Sequence, residues 1–253
     1  MVTFSLQSGS NGNAVYVEAN GTRLLFDAGI SGKAAQQRAA VHGRDMRDLH
    51  AVVISHDHDD HVRCAGVYQR KFNVPIHITR RTHAAIWRDL GHLTDVRYFK
   101  TGDALAFGDV TVHTIATKHD AADGAAFVIE CDGRRLAILT DLGHPFAALR
   151  DVLESVDAAY LECNYDPQML ATGSYPPRLK ARIRGAGGHL SNDEAATLLR
   201  ACGRRRPAWV AVAHLSQENN TPALAIEAQR SAVGRDYPVF LAPRWGCSPL
   251  LTL

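Results

Sequence analysis

Between positions 56 and 61 the chain reads His56-Asp57-His58-Asp59-Asp60-His61, three imidazoles and three carboxylates in consecutive residues. Burying so many polar groups without partners would cost at least several kcal/mol, so something must compensate them. Neutral imidazole and carboxylate are good ligands for zinc, manganese or iron. Without thiolates a closed structural zinc site is disfavoured, and positions open to water are expected. Alternate residues of an extended segment face the same way, which brings His56 and His58 together on one metal. Asp60 and His61 then turn toward another at the start of a helix, a count that fits two divalent metal ions. The plainer alternative is a solvated loop that binds metal adventitiously.

Against that alternative stands the placement of the hexad and of three further residues. Ala51-Val52-Val53-Ile54-Ser55 runs straight into it. The apolar stretch through Val112 to Ile115 leads to His119, Leu136-Ala137-Ile138-Leu139-Thr140 leads to Asp141, and Val210-Ala211-Val212-Ala213 leads to His214. Taken singly, each of the three is more ordinary: a hydrogen-bonded histidine, or an aspartate opening a turn. Together they deliver candidate ligands at strand ends, where layered α/β folds bind their ligands.

The elements that must position these residues begin as an antiparallel meander: Val2 to Leu6, Ala14 to Ala19, the Asn20-Gly21 hairpin turn, then Arg23 to Phe26. From Lys33 onward helical stretches alternate with short apolar runs, among them Ile76 to Thr79, Phe127 to Glu130, Ala158 to Leu161 and Val239 to Leu241. Sheets covered by helices follow. The 253 residues, 46% hydrophobic and 21% charged, suit one α/β domain spanning residues 1–253. The Pro/Gly-rich piece from Tyr175 to Gly188 is the nearest candidate for an inserted, mobile segment.

Composition narrows the function. Five cysteines with no CxxC pair indicate reduced thiols. With no apolar run near the roughly 20 residues of a membrane helix and no secretory pattern at the start, a cytoplasmic protein without membrane contact is expected. A net charge of only +2 means that any nucleic-acid affinity must come from a local basic patch. Arg178, Lys180, Arg182 and Arg184 could form one, and Arg204, Arg205 and Arg206 another, although a solvated helix face explains both nearly as well. No GxSxG elbow, P-loop or GxGxxG fingerprint is present, so neither an activated serine nor a nucleotide cofactor is indicated.

Two loops could meet a phosphate. Ser8, Ser10 and Asn13 lie in a glycine-rich loop of the kind that forms anion nests, and equally of the kind that forms a tight connection. His189, Ser191 and Asn192 precede a helix, with Ser191 and Glu194 spaced as a capping box. Capping accounts for Ser191 but not for His189, which is a candidate phosphate contact or proton donor. Asp57, and less so Asp59, is a candidate to orient a ligating histidine. Thr221-Pro222 reads as a helix start that could steady the His214 loop.

HDHDDH after a hydrophobic strand resembles the metal motif of the metallo-β-lactamase superfamily. SLQSGSNGN, FDAGISGK, KHDAADG, ILTDLG, LECNYD, SYPPRLKARI, GGHLSN and HLSQENNTP further resemble its YycJ/WalJ group of bacterial metallohydrolases, over residues 5 to 222. That resemblance implies the α/β four-layer αββα metallo-β-lactamase fold, with two mixed β-sheets sandwiched between helices. It implies His56, His58 and His119 on one metal, Asp60, His61 and His214 on the other, and Asp141 bridging both. Asp60, Asp141 and His189 become the expected catalytic residues. The implied activity is metal-dependent phosphodiester hydrolysis, an exonuclease acting on DNA in the 5′–3′ direction. A small-molecule hydrolase of lactones, thioesters or phosphodiesters, or a non-catalytic regulatory module, are the alternatives on the same fold. The sequence departs from the group at Tyr165 of LECNYD, where a histidine is expected.

Overall fold

The computed structural model describes residues 1–253 and contains two seven-stranded mixed sheets. In spatial order the first holds β14 (Leu251–Thr252), β1 (Val2–Gln7), β2 (Ala14–Ala19), β3 (Thr22–Phe26), β4 (Ala51–Val53), β5 (Ile76–Thr79) and β6 (Val96–Phe99). The second holds β13 (Val239–Leu241), β12 (Trp209–Ala213), β11 (Ala158–Glu162), β10 (Arg134–Leu139), β9 (Ala125–Cys131), β8 (Val110–Ala116) and β7 (Ala104–Phe107). Each sheet is antiparallel in one half and parallel in the other. β14 to β3 and β7 to β10 pair antiparallel, while β3 to β6 and β10 to β13 pair parallel. This is the expected αββα arrangement.

Side-chain alternation explains the layering. Val15 and Val17 of β2 face the second sheet, whereas Tyr16 between them faces outward. Ala51 and Val53 join the inter-sheet core, and Val52 and Ile54 the outer one. Strands with both faces buried need helices on both outer sides. The first sheet is covered by α1 (Gly32–Val41) and α3 (Ala65–Phe72); α5 (Ala147–Glu154), α8 (Asn192–Ala201) and α9 (Pro222–Val233) cover the second. Phe26 and Phe127 meet between the sheets with ring centroids 5.0 Å apart. No helix is long and apolar enough to cross a membrane.

Local chemistry set several elements as expected. Asn20 and Gly21 both take positive φ, 45° and 76°, so the β2–β3 turn has the twist that adjacent strands need. Thr221 caps α9 through the Leu224 amide, with Pro222 in the first turn. Ser191 and Glu194 form the capping box of α8. Three strands carried little sequence signal. β6 has an exposed middle, β7 alternates exposed with half-buried positions and contains two alanines, and β14 is a two-residue edge. The segment 175–188 is ordered by its own packing: α7 (Pro177–Arg184) buries Ile183 against Tyr165 and Leu170. Tyr165, the departure noted in LECNYD, is thus a packing residue.

Phe127→Ala should cost about 3–5 kcal/mol of unfolding free energy, because a buried ring between two sheets leaves a cavity that neither can collapse to fill. Urea denaturation measures this, and a loss below about 1 kcal/mol would mean that the sheets are not packed through this pair.

Candidate metal centre

The parallel halves of both sheets end at one shared edge, and all the strand-end candidates arrive there. His56, His58 and His119 bring ligand atoms within 4.8 Å of one another, as do Asp60, His61 and His214, and His56, His61 and Asp141. Asp141 lies between the two histidine groups, with its Oδ2 3.2 Å from His61 Nε2 and its Oδ1 3.6 Å from His119 Nε2 and 3.4 Å from His214 Nδ1. Asp60 Oδ2 is 3.4 Å from His214 Nε2 and 3.5 Å from His61 Nε2. The hexad follows β4 as an extended stretch and then turns at α2 (Asp59–Val62), as its spacing implied.

Three of the imidazoles, His119, His61 and His56, are aimed by a partner on the other nitrogen. His119 donates Nδ1–H to the Gly188 carbonyl at 2.8 Å, which leaves Nε2 toward Asp141. His61 donates Nδ1–H to Asp27 Oδ2 at 2.7 Å, and Asp27 is itself fixed by the Ser55 amide and hydroxyl at 2.8 and 2.9 Å. Ser55 Oγ also lies 2.9 Å from His56 Nδ1. Such partners set tautomer and ring direction and raise ligand basicity. The His214 backbone is held by its amide donating to Ser8 Oγ and by its carbonyl accepting from Asn164 Nδ2.

The arrangement carries backbone strain. Asp27, Asp141 and His214, each just past the end of its strand, have φ of 67°, 54° and 55°. Non-glycine residues in this region cost on the order of 1–3 kcal/mol each and persist where the surroundings over-determine them. Gly29 shows how tightly the loops interlock, because a Cβ there would lie 1.7 Å from the Asp60 carbonyl oxygen.

Charge is as concentrated as geometry. Burial alone would push His61 and His214 down, but the Asp141, Asp27 and Asp60 carboxylates hold His61 well above its ordinary range. Asp141, Asp60 and Glu162 likewise raise His214 to about 10. His56 goes the other way, lowered by burial and then by His61. Burial would raise Glu162, yet His189 and His214 bring it to about 2. Without a cation, protons on His61 and His214 balance the buried carboxylates. Within the cluster His56 Nε2 still has no hydrogen-bond partner, and Asp141 Oδ2 has only the His61 ring nitrogen at 3.2 Å. An orphaned ligand atom and an all-imidazole and carboxylate donor set fit divalent metal.

The cleft over this cluster has a volume of about 220 Å³ and is lined by His58, Asp60, His119, Asp141, His189 and His214, with Ser10, Tyr175 and Arg182 toward its rim. Of the expected phosphate contacts, Ser10 and His189 line it. The others are committed to the frame: Ser8 to the His214 amide, Asn13 to Gly9 and the Asp60 carboxylate, Ser191 to its capping box, and buried Asn192 to Asn220. Asp57 accepts from the Ala122 amide and Asp59 pairs with Arg88, so neither orients a histidine. Arg182 reaches the cleft, bound twice by Asp120 at 2.6 and 3.0 Å. Arg204 to Arg206 follow the far end of α8, roughly 15 Å of helix away from His189.

Sequence reasoning overlooked Asp27 and left Glu162 without a role. Both stand at strand ends, after Leu24-Leu25-Phe26 and Ala158-Ala159-Tyr160-Leu161, so the pattern that singled out Asp141 also marks them. Glu162 accepts His189 Nδ1–H at 2.8 Å and lies 3.3 Å from His214 Nδ1.

Fold and site together define a metallo-β-lactamase-type protein, and the chain belongs to that superfamily: residues 22–210 match the beta-lactamase superfamily domain. Within it the chain belongs with the YycJ/WalJ proteins. It is 34% identical over 222 residues to the exodeoxyribonuclease YycJ of Bacillus anthracis, covering 87% of this chain and 84% of the relative. It is 35% identical over 225 residues to the exodeoxyribonuclease WalJ of Streptococcus pneumoniae, covering 87% and 83%. Among solved structures, the metallo-beta-lactamase fold protein YhfI of Bacillus subtilis matches with a TM-score of 0.75 at 15% identity, over 98% of this chain and 99% of that one. Zn²⁺-bound PqqB of Methylobacterium extorquens matches with 0.73 at 16% identity over 100% of both.

Three outcomes follow from the site. Zinc uptake by metal-stripped protein near neutral pH should release at least one proton per chain, because the metal displaces protons from raised imidazoles; affinity should therefore rise with pH. Calorimetry in buffers of different ionisation enthalpy reads the release, and a buffer-independent heat would refute it. In metal-free protein the His214 contribution to stability is full below about 6.5 and is lost as pH rises through about 10. Gly29→Ala should strip metal from the purified protein, since the Asp60 loop must move to admit the methyl group. Retained full metal content would show that this loop is free to shift.

Proposed function

We propose that this chain is a two-metal phosphodiesterase that removes nucleotides from DNA. The observation that carries the reading is the convergence of the seven expected ligands in one cluster, where buried His56 Nε2 has no hydrogen-bond partner. Its substrate is suggested by the exodeoxyribonuclease relatives that match most of the chain. In this reading His56, His58 and His119 hold one ion, Asp60, His61 and His214 the other, and Asp141 both. Residues 1–253 act as one domain, supported by an inter-sheet core drawn from both sheets. Five free cysteines support a cytoplasmic, reducing location.

Zinc, manganese or iron ions bound there would lower the pKa of a water toward neutrality and stabilise charge on the phosphoryl oxygens. The chain's own side chains do the rest. His189 gives its Nδ1–H to Glu162, so Nε2 is left for the cleft; in the doubly protonated imidazolium form Nε2–H can pass its proton to the departing oxygen, leaving the neutral imidazole still bound to Glu162 through Nδ1–H. Arg182, pre-set by Asp120, can receive a phosphate oxygen at the rim. Asp27 and Ser55 keep His61 and His56 from rotating away.

The test is cleavage of end-labelled DNA by protein of measured metal content. Wild type with manganese or zinc should release nucleotides and lose that activity to chelator, and Asp60→Ala should lose both metal and activity. His189→Ala should keep its metal while kcat falls about 10²- to 10⁴-fold. Fully loaded wild type that leaves both single-stranded and duplex DNA intact, yet turns over a neutral ester, would move the substrate to small molecules.

A further inference from the structure

Beside the metal cleft lies a second cavity of about 330 Å³, and Ser216, two residues after His214, lines both. Topology places them together. β13 runs parallel to β12, with Val212 opposite Leu241, so the chain leaving β13 at Ala242 emerges on the same edge as His214. It carries Arg244 and Trp245 to the cavity wall, where Leu215, Pro222 and Pro243 supply apolar surface.

Trp245 is 69% exposed, and the Arg244 guanidinium lies 5.9 Å from its ring centroid. Singly exposed rings are ordinary, and Trp87 is 75% exposed; Trp245 is set apart because it stands on the wall of a cavity beside the metal cleft. Arg244 is itself positioned. Its Nη1 donates to the Leu215 carbonyl at 3.0 Å and its Nε to Gln217 Oε1 at 3.2 Å, and no carboxylate lies within ion-pair distance. A Cβ on Gly9 would sit 2.9 Å from Arg244 Nη1, so glycine there seats the guanidinium against the loop that carries the cleft residue Ser10. A flat exposed ring, a cation with no ion-pair partner and a cavity that shares Ser216 with the metal cleft match one ligand class. An unpaired nucleobase offers a π face for the indole, and its flanking phosphate offers charge for the arginine.

We propose that Trp245 and Arg244 form a nucleobase subsite that stacks an unpaired base next to the phosphate under attack. This assignment rests on the phosphodiesterase reading and adds to it a preference for frayed or single-stranded ends. Duplex DNA hides the base faces that Trp245 would cover.

The experiment measures steady-state cleavage of labelled single-stranded oligonucleotides by metal-loaded wild type, Trp245→Ala and Trp245→Phe. Trp245→Ala should raise KM about 10- to 100-fold, the range expected for losing one base stack, with the phenylalanine variant recovering most of it. An abasic residue near the labelled end should impose the same penalty on wild type and little further penalty on Trp245→Ala. An unchanged KM in Trp245→Ala, or an abasic penalty equal in both proteins, overturns the subsite while leaving the phosphodiesterase reading intact. Deoxyadenosine monophosphate should also quench Trp245 emission in a Trp87→Phe background, where the remaining Trp209 is buried. Wild type that cleaves no DNA overturns the phosphodiesterase reading, and quenching then decides whether the base site stands without it.

Discussion

Everything in this molecule answers to one electrostatic constraint: ionisable side chains that cannot reach water have been gathered where two sheets meet. His56, His61, Asp141, Glu162 and His214 are each at most 3% exposed. Taking such groups out of water costs several kcal/mol per ion unless opposite charge replaces the lost solvation. Hydrogen bonds recover part of it, as Asp27 does for His61. The mutual pull of imidazolium and carboxylate recovers more when no cation is present, and divalent cations would replace those protons with charge of the same sign at the same place.

The architecture supplies the concentration of ligands with little long-range chain travel. Because each sheet is parallel in its inner-to-edge half, several strands end on the same side, and each ending donates a polar residue to the shared rim. The apolar layers beneath make that rim rigid: aromatic and branched residues fill the space between the sheets, and helices seal both outer faces. Rigidity is what allows Asp27, Asp141 and His214 to stay in left-handed backbone that isolated chains would leave. Stability made in the core is in this sense spent at the edge.

The sequence revealed much of this for physical reasons, and the gaps have physical reasons too. Long apolar runs ending in histidine or aspartate are legible, because alternation and burial leave a periodic trace, and that trace alone places the hexad between a strand and a helix. What a residue's second face touches was not legible. Ser8 and Asn13 looked like anion donors because their chemistry permits it, and only the packing of their loop against the His214 amide and Asp60 assigns them to support. Asp57 and Asp59 are plausible partners by adjacency, yet the carboxylate that aims His61 stands just past β3, 34 residues earlier. β6, β7 and β14 escaped notice because short, half-exposed edge strands carry weak periodicity.

The central claim is that a single carboxylate, Asp141, joins two histidine groups into one dinuclear centre. Electron paramagnetic resonance of manganese-loaded protein tests it most directly, since ions that share a carboxylate couple magnetically. The account predicts an exchange-coupled manganese spectrum at two ions per chain, which reverts to uncoupled signal in Asp141→Asn. One ion per chain with an uncoupled spectrum in the wild type would contradict it.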